Sequence, residues 1–209
     1  MRKQWAIYLL GLGFLLASSP KAMSQDPTFT TIDFPGASLT AAFGINPQGD
    51  IVGRYIKGGS EQGFLLSGGQ FTPIDFPGAT LTDAWRINPQ GDIVGQYNDS
   101  VGKTHGYLLS AGSFSGIDFP GANSTAALGN NPQGDIVGWY MKGGHEHGFL
   151  LSGGSFTTIE PPGAVASEAY GIDPEGAIVG EYYTTVDRTR RESGDRQPER
   201  LVCERQEQI

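Results

Sequence analysis

A five-residue motif recurs along this chain at an almost constant interval. It reads Ile32-Asp33-Phe34-Pro35-Gly36 in its first copy and returns at Ile74–Gly78 and Ile117–Gly121, with a worn copy at Ile159–Gly163. The copies begin 42, 43 and 42 residues apart. A fixed period of this length indicates one supersecondary unit stacked on copies of itself. The repeat therefore constrains the architecture strongly, and it says little about ligand or reaction.

Each repeat has the pattern of four short strands. Around the first copy, Phe29–Phe34 is rich in β-branched and aromatic residues, and Leu39–Ile45, Asp50–Tyr55 and Gly63–Ser67 follow with similar composition. Such residues favour strands, and nothing after the first two dozen residues has helical periodicity. The sequence therefore predicts an all-β chain.

Short turn sequences separate these predicted strands. Pro35-Gly36 is typical of a type II turn, and Asn46-Pro47-Gln48-Gly49 has an Asn that can bond to its own backbone. Lys57–Gln62 is predicted to be a polar loop, and Gly68-Gly69 predicts a two-residue hairpin of the primed type. Because the connections are short, each strand is expected to pair with its neighbour in an antiparallel meander.

A four-stranded sheet of this size cannot bury both of its faces, so the repeats must pack on one another. A β-propeller, partial or four-bladed, is the favoured arrangement, and a linear stack of β-meanders is the alternative. In a ring, Phe29–Phe34 would complete the last blade, whose other strands lie near Ala166–Ile172 and Ala177–Tyr183. The third strand of that blade is expected to be missing, which would leave a weak ring or an open fragment.

The first 24 residues have the layout of a secretory signal peptide. Arg2 and Lys3 precede an apolar run over Trp5–Ala17, and Ala22-Met23-Ser24 resembles a cleavage site. The run is shorter than the roughly 20 residues of a membrane span, so no span is expected after cleavage. The mature protein is predicted to begin near Gln25 and to be secreted to the periplasm or the exterior. The sole cysteine, Cys203, excludes an internal disulfide.

The chain changes character abruptly after Tyr183. The predicted repeat domain spans residues 25–183, and residues 184–209 carry six of the nine arginines with few apolar side chains. That composition predicts a disordered tail. The Gly-Phe-Leu-Leu strand expected at this point of the repeat is absent from the sequence, so we favour a frameshift or truncation near Thr184 over a natural tail.

The net charge of the whole chain, −8, argues against a nucleic-acid partner.

The repeat resembles the extracellular HAF repeat proteins of bacteria. Their consensus is matched by Gly44-Ile45-Asn46-Pro47-Gln48-Gly49-Asp50-Ile51-Val52-Gly53-Arg54-Tyr55, and their His-Gly-Phe element by His147-Gly148-Phe149 and, less closely, by His105-Gly106-Tyr107. The first repeat departs from that element with Gln62, and the fourth lacks it. The resemblance covers residues 29–183 and implies export and a propeller-like all-β fold. It supplies no catalytic residues.

Two recurring polar slots could hold cations, but structural roles are favoured for both. Asp33, Asp75, Asp118 and Glu160 share one slot, where a carboxylate is expected to accept backbone N–H groups of the turn. His147 shares a slot with His105 and Gln62, and because Gln is a poor zinc ligand, that slot predicts hydrogen bonding. No P-loop, nucleophile elbow or Cys/His cluster is present, so no cofactor and no metal are predicted.

Repeat scaffolds vary the positions that meet a partner while holding their core fixed. One variable slot holds Arg54, Gln96, Trp139 and Glu181, and another pair of slots holds Trp85-Arg86 where the first repeat has Phe43-Gly44. Arg and Trp are typical interface anchors. The candidate contact residues are thus Arg54, Trp85, Arg86 and Trp139. The competing interpretation is that these side chains are core or weakly constrained surface.

These observations favour a secreted binding or scaffolding module for a cell-surface glycan or protein. A carbohydrate-active hydrolase or lyase with a site at the propeller mouth is the first alternative, and a non-functional truncated fragment is the second. An enzyme would show acid and base residues that break the repeat pattern, and residues 29–183 show only ordinary variation between repeats, so the binding module is favoured.

Overall fold

The computed structural model describes residues 28–184 and 199–203, so the predicted signal peptide and most of the charged tail lie outside it. The described residues form strands and turns. They contain no helix that is long and apolar enough to cross a membrane. The strands are β1 (Leu39–Ile45), β2 (Ile51–Lys57), β3 (Ser60–Ser67), β4 (Gln70–Ile74), β5 (Leu81–Ile87), β6 (Ile93–Asn98), β7 (Thr104–Ser110), β8 (Ser113–Ile117), β9 (Ser124–Asn130), β10 (Ile136–Lys142), β11 (His145–Ser152), β12 (Ser155–Ile159), β13 (Ala164–Ile172), β14 (Ile178–Thr184) and β15 (Glu199–Cys203).

The strands group into four repeats of antiparallel meander, as the sequence predicted. Repeat 1 is β1–β4, repeat 2 is β5–β8, repeat 3 is β9–β12, and repeat 4 is β13–β15. A single parallel bridge between Glu61 and Leu81 links the sheets of repeats 1 and 2. The fold of the described residues is therefore all-β and built from several sheets.

The predicted turns are mostly confirmed, with one correction. Gly36 has a φ of +77°, and the Ala37 N–H donates to the Phe34 carbonyl at 3.0 Å, as a four-residue turn requires. The Lys57–Gln62 loop was predicted too long, because β2 and β3 extend over most of it. Gly58 and Gly59, with φ values of +61° and +84°, close a two-residue hairpin instead.

The predicted first strand is wrong. Residues 28–34 form no strand, and Phe29 is 93% exposed. The chain divides into two structural units, Met1–Thr31 and Ile32–Ile209, and the described residues of the first have no regular structure. A strand needs a paired neighbour for its backbone groups, and the sequence pattern alone does not supply one.

Repeat 4 also differs from expectation, because its third strand is present. Glu199–Cys203, assigned above to a disordered tail, pairs antiparallel with β14, with Ile178 opposite Cys203. In repeat 1 the corresponding partner of Ile51 is Leu66, so β15 occupies the third-strand position. An open strand edge offers a row of unpaired backbone groups, and a short segment with alternating side chains can pair with it.

The glycine that recurs in each second strand has a clear steric cause. A side chain at Gly95 would place its Cβ 1.9 Å from the Asp83 carbonyl oxygen, and Gly53 and Gly138 have the same close approach to their neighbouring strand. The pairing register shifts at this place between Ala84 and Arg86, which marks a β-bulge. The Ile-Val-Gly part of the repeat therefore sets backbone geometry rather than chemistry.

The core lies between successive repeats. The first strand of each repeat packs across the sheet of the repeat before it, and the first strands β1, β5, β9 and β13 contact one another in series. Val52 and Ile74 of repeat 1 share a buried cluster with Ala84 and Ile87 of repeat 2. Each repeat thus buries its apolar face only because the next repeat covers it.

Candidate functional site

The first strands of all four repeats surround one cavity of about 670 Å³, named here the inner cleft. Four aromatic side chains, one cation, one carboxyl and one amide contribute to its walls. Every first strand contributes the same repeat position to the cleft, held by Phe43, Trp85, Leu128 and Tyr170, and the second strands β6 and β10 add Gln96 and Trp139. The lining residues are Ala42, Phe43, Trp85, Arg86, Gln96, Leu128, Trp139, Glu168 and Tyr170.

One wall of the inner cleft is an aromatic pair between repeats 1 and 2. The rings of Phe43 and Trp85 are stacked, with 4.4 Å between centroids and 18° between planes. The exposed Arg86 guanidinium donates to the Phe43 carbonyl oxygen, and its Nη1 lies 3.4 Å from the Trp85 carbonyl oxygen. Gly44 allows this approach, since a Cβ there would meet the Trp85 carbonyl oxygen at 2.9 Å.

Arg54 lies beside the cleft rather than in its wall. Its guanidinium is 5.7 Å from the centroid of the Phe43 ring and pairs with Glu61. The same Nη1 is 4.0 Å from the Asp83 Oδ1 atom. Arg54 therefore packs on the Phe43 ring of the aromatic wall and faces the carboxyl groups of Glu61 and Asp83. These contacts fix its side chain.

Asp83 is a buried carboxyl with incomplete hydrogen bonding. Gln96 donates to its Oδ2 atom at 3.0 Å, whereas its Oδ1 atom is buried without a hydrogen-bond partner among the described residues. Burial raises the pKa of Asp83 to about 6, and the Gln96 hydrogen bond opposes that shift. A carboxyl of this kind holds its proton far more readily than an exposed one.

Glu168 provides the carboxyl that lines the cleft itself. Burial raises its pKa to about 7, and the negative charge of Glu146 acts in the same direction. The Tyr170 hydroxyl hydrogen bonds to Glu168 and favours the ionised form. Burial and the Glu168 charge raise the pKa of Tyr170. Glu168 therefore holds its proton more readily at the cleft wall than an exposed carboxyl does.

The structure brings together three of the four residues singled out from the sequence. Trp85, Arg86 and Trp139 line the inner cleft, and Arg54 stands one layer behind it. The stacking of Trp85 on Phe43 also gives that indole a packing role between repeats.

The sequence analysis missed the two carboxyls. Asp83 and Glu168 occupy the slot that holds Ala41 and Ala126 in the other repeats, so they do break the repeat pattern. Both lie opposite variable slots on the second strands, where Asp83 pairs with Gln96 and Glu168 with Glu181. The sequence does show a carboxyl in place of alanine at this repeat position. Its importance becomes apparent only when the strand register shows which residues lie opposite it.

The recurring His and Asp slots carry hydrogen bonds, as predicted for the His slot. Gln62 donates to Asp75 at 2.9 Å, and the His105 Nδ1 atom lies 2.8 Å from the Asp118 Oδ1 atom. The prediction that the recurring Asp accepts N–H groups of the turn is wrong. The N–H of Phe76, next to Asp75, donates instead to the Thr82 hydroxyl at 3.1 Å. In the described part of the chain, no group of three or more His, Cys, Asp or Glu residues is placed to hold a metal ion.

Comparison with known proteins gives a distant structural likeness. No protein-family model matches the sequence, and no curated protein matches it. Among solved structures, the chain is similar to a catalytically inactive virginiamycin B lyase from Staphylococcus aureus, crystallised with quinupristin. That match has 14% sequence identity and a TM-score of 0.44, and it covers 81% of this chain and 57% of that chain. A likeness at this level assigns neither ligand nor reaction.

Proposed function

We propose that this chain is a secreted repeat module of the partial β-propeller type, and that its inner cleft binds a glycan. The observation that carries the proposal is the convergence of variable positions on one cavity. Trp85, Arg86, Trp139 and Glu168 each replace a smaller or apolar residue found at the same slot of another repeat, and all four line the cleft. Unselected variation between repeats would place such residues at unrelated positions on the surface.

The propeller-type arrangement is supported by how the repeats meet. First strands contact one another in series, whereas the later strands of each sheet contact mainly the first strand of the next repeat. Sheets that fan outward from their first strands have this contact pattern, which is the geometry of propeller blades. A linear stack would instead place equivalent strands directly above one another.

The glycan assignment is supported by the chemistry of the lining. Indole and phenol rings offer flat apolar faces that suit the C–H faces of sugar rings, and Trp85, Trp139 and Tyr170 supply three of them. Gln96, Arg86 and Glu168 add an amide, a cation and a carboxyl at the same walls. A mostly apolar concave site with a few polar groups is the usual form of a small-ligand site.

A glycan array with the purified chain, followed by calorimetric titration of the best oligosaccharide, tests the proposal. Trp139→Ala is expected to weaken binding about tenfold or more, since it removes one stacking surface. Val101→Ala is the control, because Val101 is 85% exposed and outside the cleft. Equal affinity of both variants, or no saturable binding to any glycan, would contradict the assignment.

A hydrolase or lyase acting in the same cleft is the second candidate. One observation favours it: Glu168 lines the cleft with a pKa raised by burial to about 7, as a general acid requires. An assay for new reducing ends or unsaturated sugars decides between the two functions. Turnover that Glu168→Gln abolishes would show that the chain is an enzyme. Saturable binding without any product would contradict the hydrolase or lyase hypothesis.

Membership of the HAF repeat family and export remain part of the proposal. Both are supported by the recurring motif and by the layout of residues 1–24. Expression in a bacterium with N-terminal sequencing of the exported product tests export. The expected mature terminus is Gln25. Recovery of the chain only in the cytoplasm, with Met1 intact, would contradict it.

A further inference from the structure

The two ends of the repeat series expose side chains that internal repeats bury. Val179 of repeat 4 is 51% exposed, although the valine at this slot is fully buried in every other repeat. Ile45 of repeat 1 is 67% exposed, whereas Ile87 at the same slot of repeat 2 is 8% exposed. The buried valines are Val52, Val94 and Val137. We call the surface around Ile45 the leading face and the surface around Val179 the trailing face.

Each internal junction joins a trailing face to a leading face. Val52 of repeat 1 packs with Ala84 and Ile87 of repeat 2, and Val137 of repeat 3 packs with Ala169 of repeat 4. The free faces of the chain carry the same residue types at the same slots. They are therefore complementary to each other in the way the chain itself demonstrates at its internal junctions.

An open apolar groove lies beside the trailing face, at the junction of repeats 3 and 4. This terminal groove has a volume of about 500 Å³ and is lined by Leu150, Ile159, Ile172, Ile178, Val202 and Cys203, among others. At the junction of repeats 1 and 2, the equivalent cluster contains the rings of Tyr107 and Phe114 from the third and fourth strands. Repeat 4 has no fourth strand among the described residues, so the aromatic ring of that strand has no counterpart there.

The chain contains a segment with the sequence of a fourth strand. Thr28-Phe29-Thr30-Thr31-Ile32 differs from β12, Ser155–Ile159, only in having Thr in place of Ser at its first position. It precedes repeat 1 just as β12 precedes repeat 4. In the structure it forms no strand, and Phe29 is 93% exposed.

We infer that copies of this chain associate head to tail, with the leading face of one copy on the trailing face of another. The second copy follows the first as one repeat follows the previous one along the chain. Its Thr28–Ile32 segment pairs with the open edge of β15 and completes repeat 4 of the first copy. Phe29 of the second copy then fills the terminal groove, where Phe114 and Phe156 lie in the internal repeats.

Burial of the apolar side chains on the leading and trailing faces would stabilise this association. Terminal repeats of soluble repeat proteins need polar outer faces, and neither free face here provides one, since Ile45, Val179 and Val202 are all exposed. The contact joins two different surfaces, so it is heterologous and leads to a closed ring of copies or an open run. The association does not depend on the ligand proposed for the inner cleft.

A complementation experiment tests this inference with the full chain. Ile45→Lys damages only the leading face, and Val179→Lys damages only the trailing face. Both side chains are exposed, so neither change disturbs the core of one copy. Sedimentation velocity across a wide concentration range should show assembly of the wild type and monomers for each variant alone. Mixing the two variants should give a 1:1 dimer, because one intact leading face remains for one intact trailing face.

The outcomes are decisive in both directions. Val101→Lys, at an exposed position away from both faces, is the matched control and should assemble like the wild type. A wild type that stays monomeric at every concentration overturns the inference. Variants that assemble unchanged, or a mixture without the dimer, overturn the head-to-tail arrangement, since a contact between two like faces could not be rescued by mixing.

Disulfide trapping tests the strand register. In repeat 1, Leu65 lies opposite Thr72, so Thr30 of one copy should lie opposite Val202 of the other. Thr30→Cys with Val202→Cys, in a Cys203→Ser background, should oxidise to covalent multimers. Thr31→Cys with Val202→Cys is the control, because adjacent strand residues point to opposite faces. A disulfide within single chains, or equal cross-linking of both pairs, would overturn the proposed pairing between copies.

Discussion

The ring of Phe76 lies parallel to the ring of Tyr97, with 3.6 Å between centroids and 5° between planes. Phe76 belongs to the recurring five-residue motif, and Tyr97 ends the Ile-Val-Gly-x-Tyr segment of the next repeat. The same stacking recurs at Phe34 with Tyr55 and at Phe119 with Tyr140. Two motifs that look independent in the sequence are therefore the two halves of one contact, between the turn that leads into a repeat and the second strand of that repeat.

Removing one of these rings should destabilise the chain. We expect Phe76→Ala to lower the free energy of unfolding by about 3 kcal/mol, because it removes a large apolar side chain and a stacked pair. Urea denaturation followed by tryptophan fluorescence measures the change. Val101→Ala, at an exposed position, should change stability by less than about 0.5 kcal/mol. Similar losses in the two variants would mean that the stacking contributes little.

Much of the fold could be predicted because the repeat is consistent at every level. Leu39–Ile45 was bounded correctly from its composition, and Gly68-Gly69 adopts positive φ at both positions as the primed hairpin requires. Local turn chemistry and a fixed period determine such features. The strand at Glu199–Cys203 could not be predicted, because it depends on the open edge of β14 rather than on its own composition.

The candidate site could be predicted only in part, for a related reason. Variation at single slots pointed to Trp85, Arg86 and Trp139, which the structure places in one cleft. Asp83 and Glu168 were missed because their slot alternates between alanine and a carboxyl, which looks like ordinary surface drift in the sequence. Their burial follows from the register that sets Asp83 opposite Gln96, and register is a property of the paired strands.

Glycine at the bulge gives a second prediction. Gly95→Ala should lower the free energy of unfolding by about 3 kcal/mol, since the added Cβ would lie 1.9 Å from the Asp83 carbonyl oxygen and the backbone must shift. Gly116→Ala is the matched control, because a Cβ there meets nothing within 4 Å. Thermal unfolding of the two variants compares them directly. A Gly95→Ala protein as stable as the control would contradict the steric explanation.

The His slot can be tested by exchanging residues that the chain already uses. His105→Gln copies repeat 1, where Gln62 bonds to Asp75, and should leave stability within about 0.5 kcal/mol. His105→Ala removes the contact with Asp118 and should cost about 1 kcal/mol. Denaturation with and without added zinc separates the alternatives. Zinc-dependent stabilisation lost in both variants would indicate a metal role for this slot.

The buried carboxyl of Asp83 should make stability depend on pH. Burial raises the pKa of Asp83 to about 6 in the folded chain, from 3.8 without its surroundings. Because the folded state holds the proton more tightly, it gains stability that is fully present below pH 3.8 and is lost as the pH rises through about 6. The wild type should therefore lose on the order of 2–3 kcal/mol between these limits from this group.

Asp83→Asn isolates that contribution, since the amide cannot ionise and still accepts the Gln96 hydrogen bond. Chemical denaturation at a series of pH values should show the variant gaining on the wild type as the pH rises from about 4 to 7, because only the wild type must then bury a charge. Titrating groups that do not interact with Asp83 affect both proteins equally and cancel in the difference. Parallel stability profiles over this range would show that Asp83 ionises without cost, and Arg54, 4.0 Å from its Oδ1 atom, would then be the group that compensates its charge.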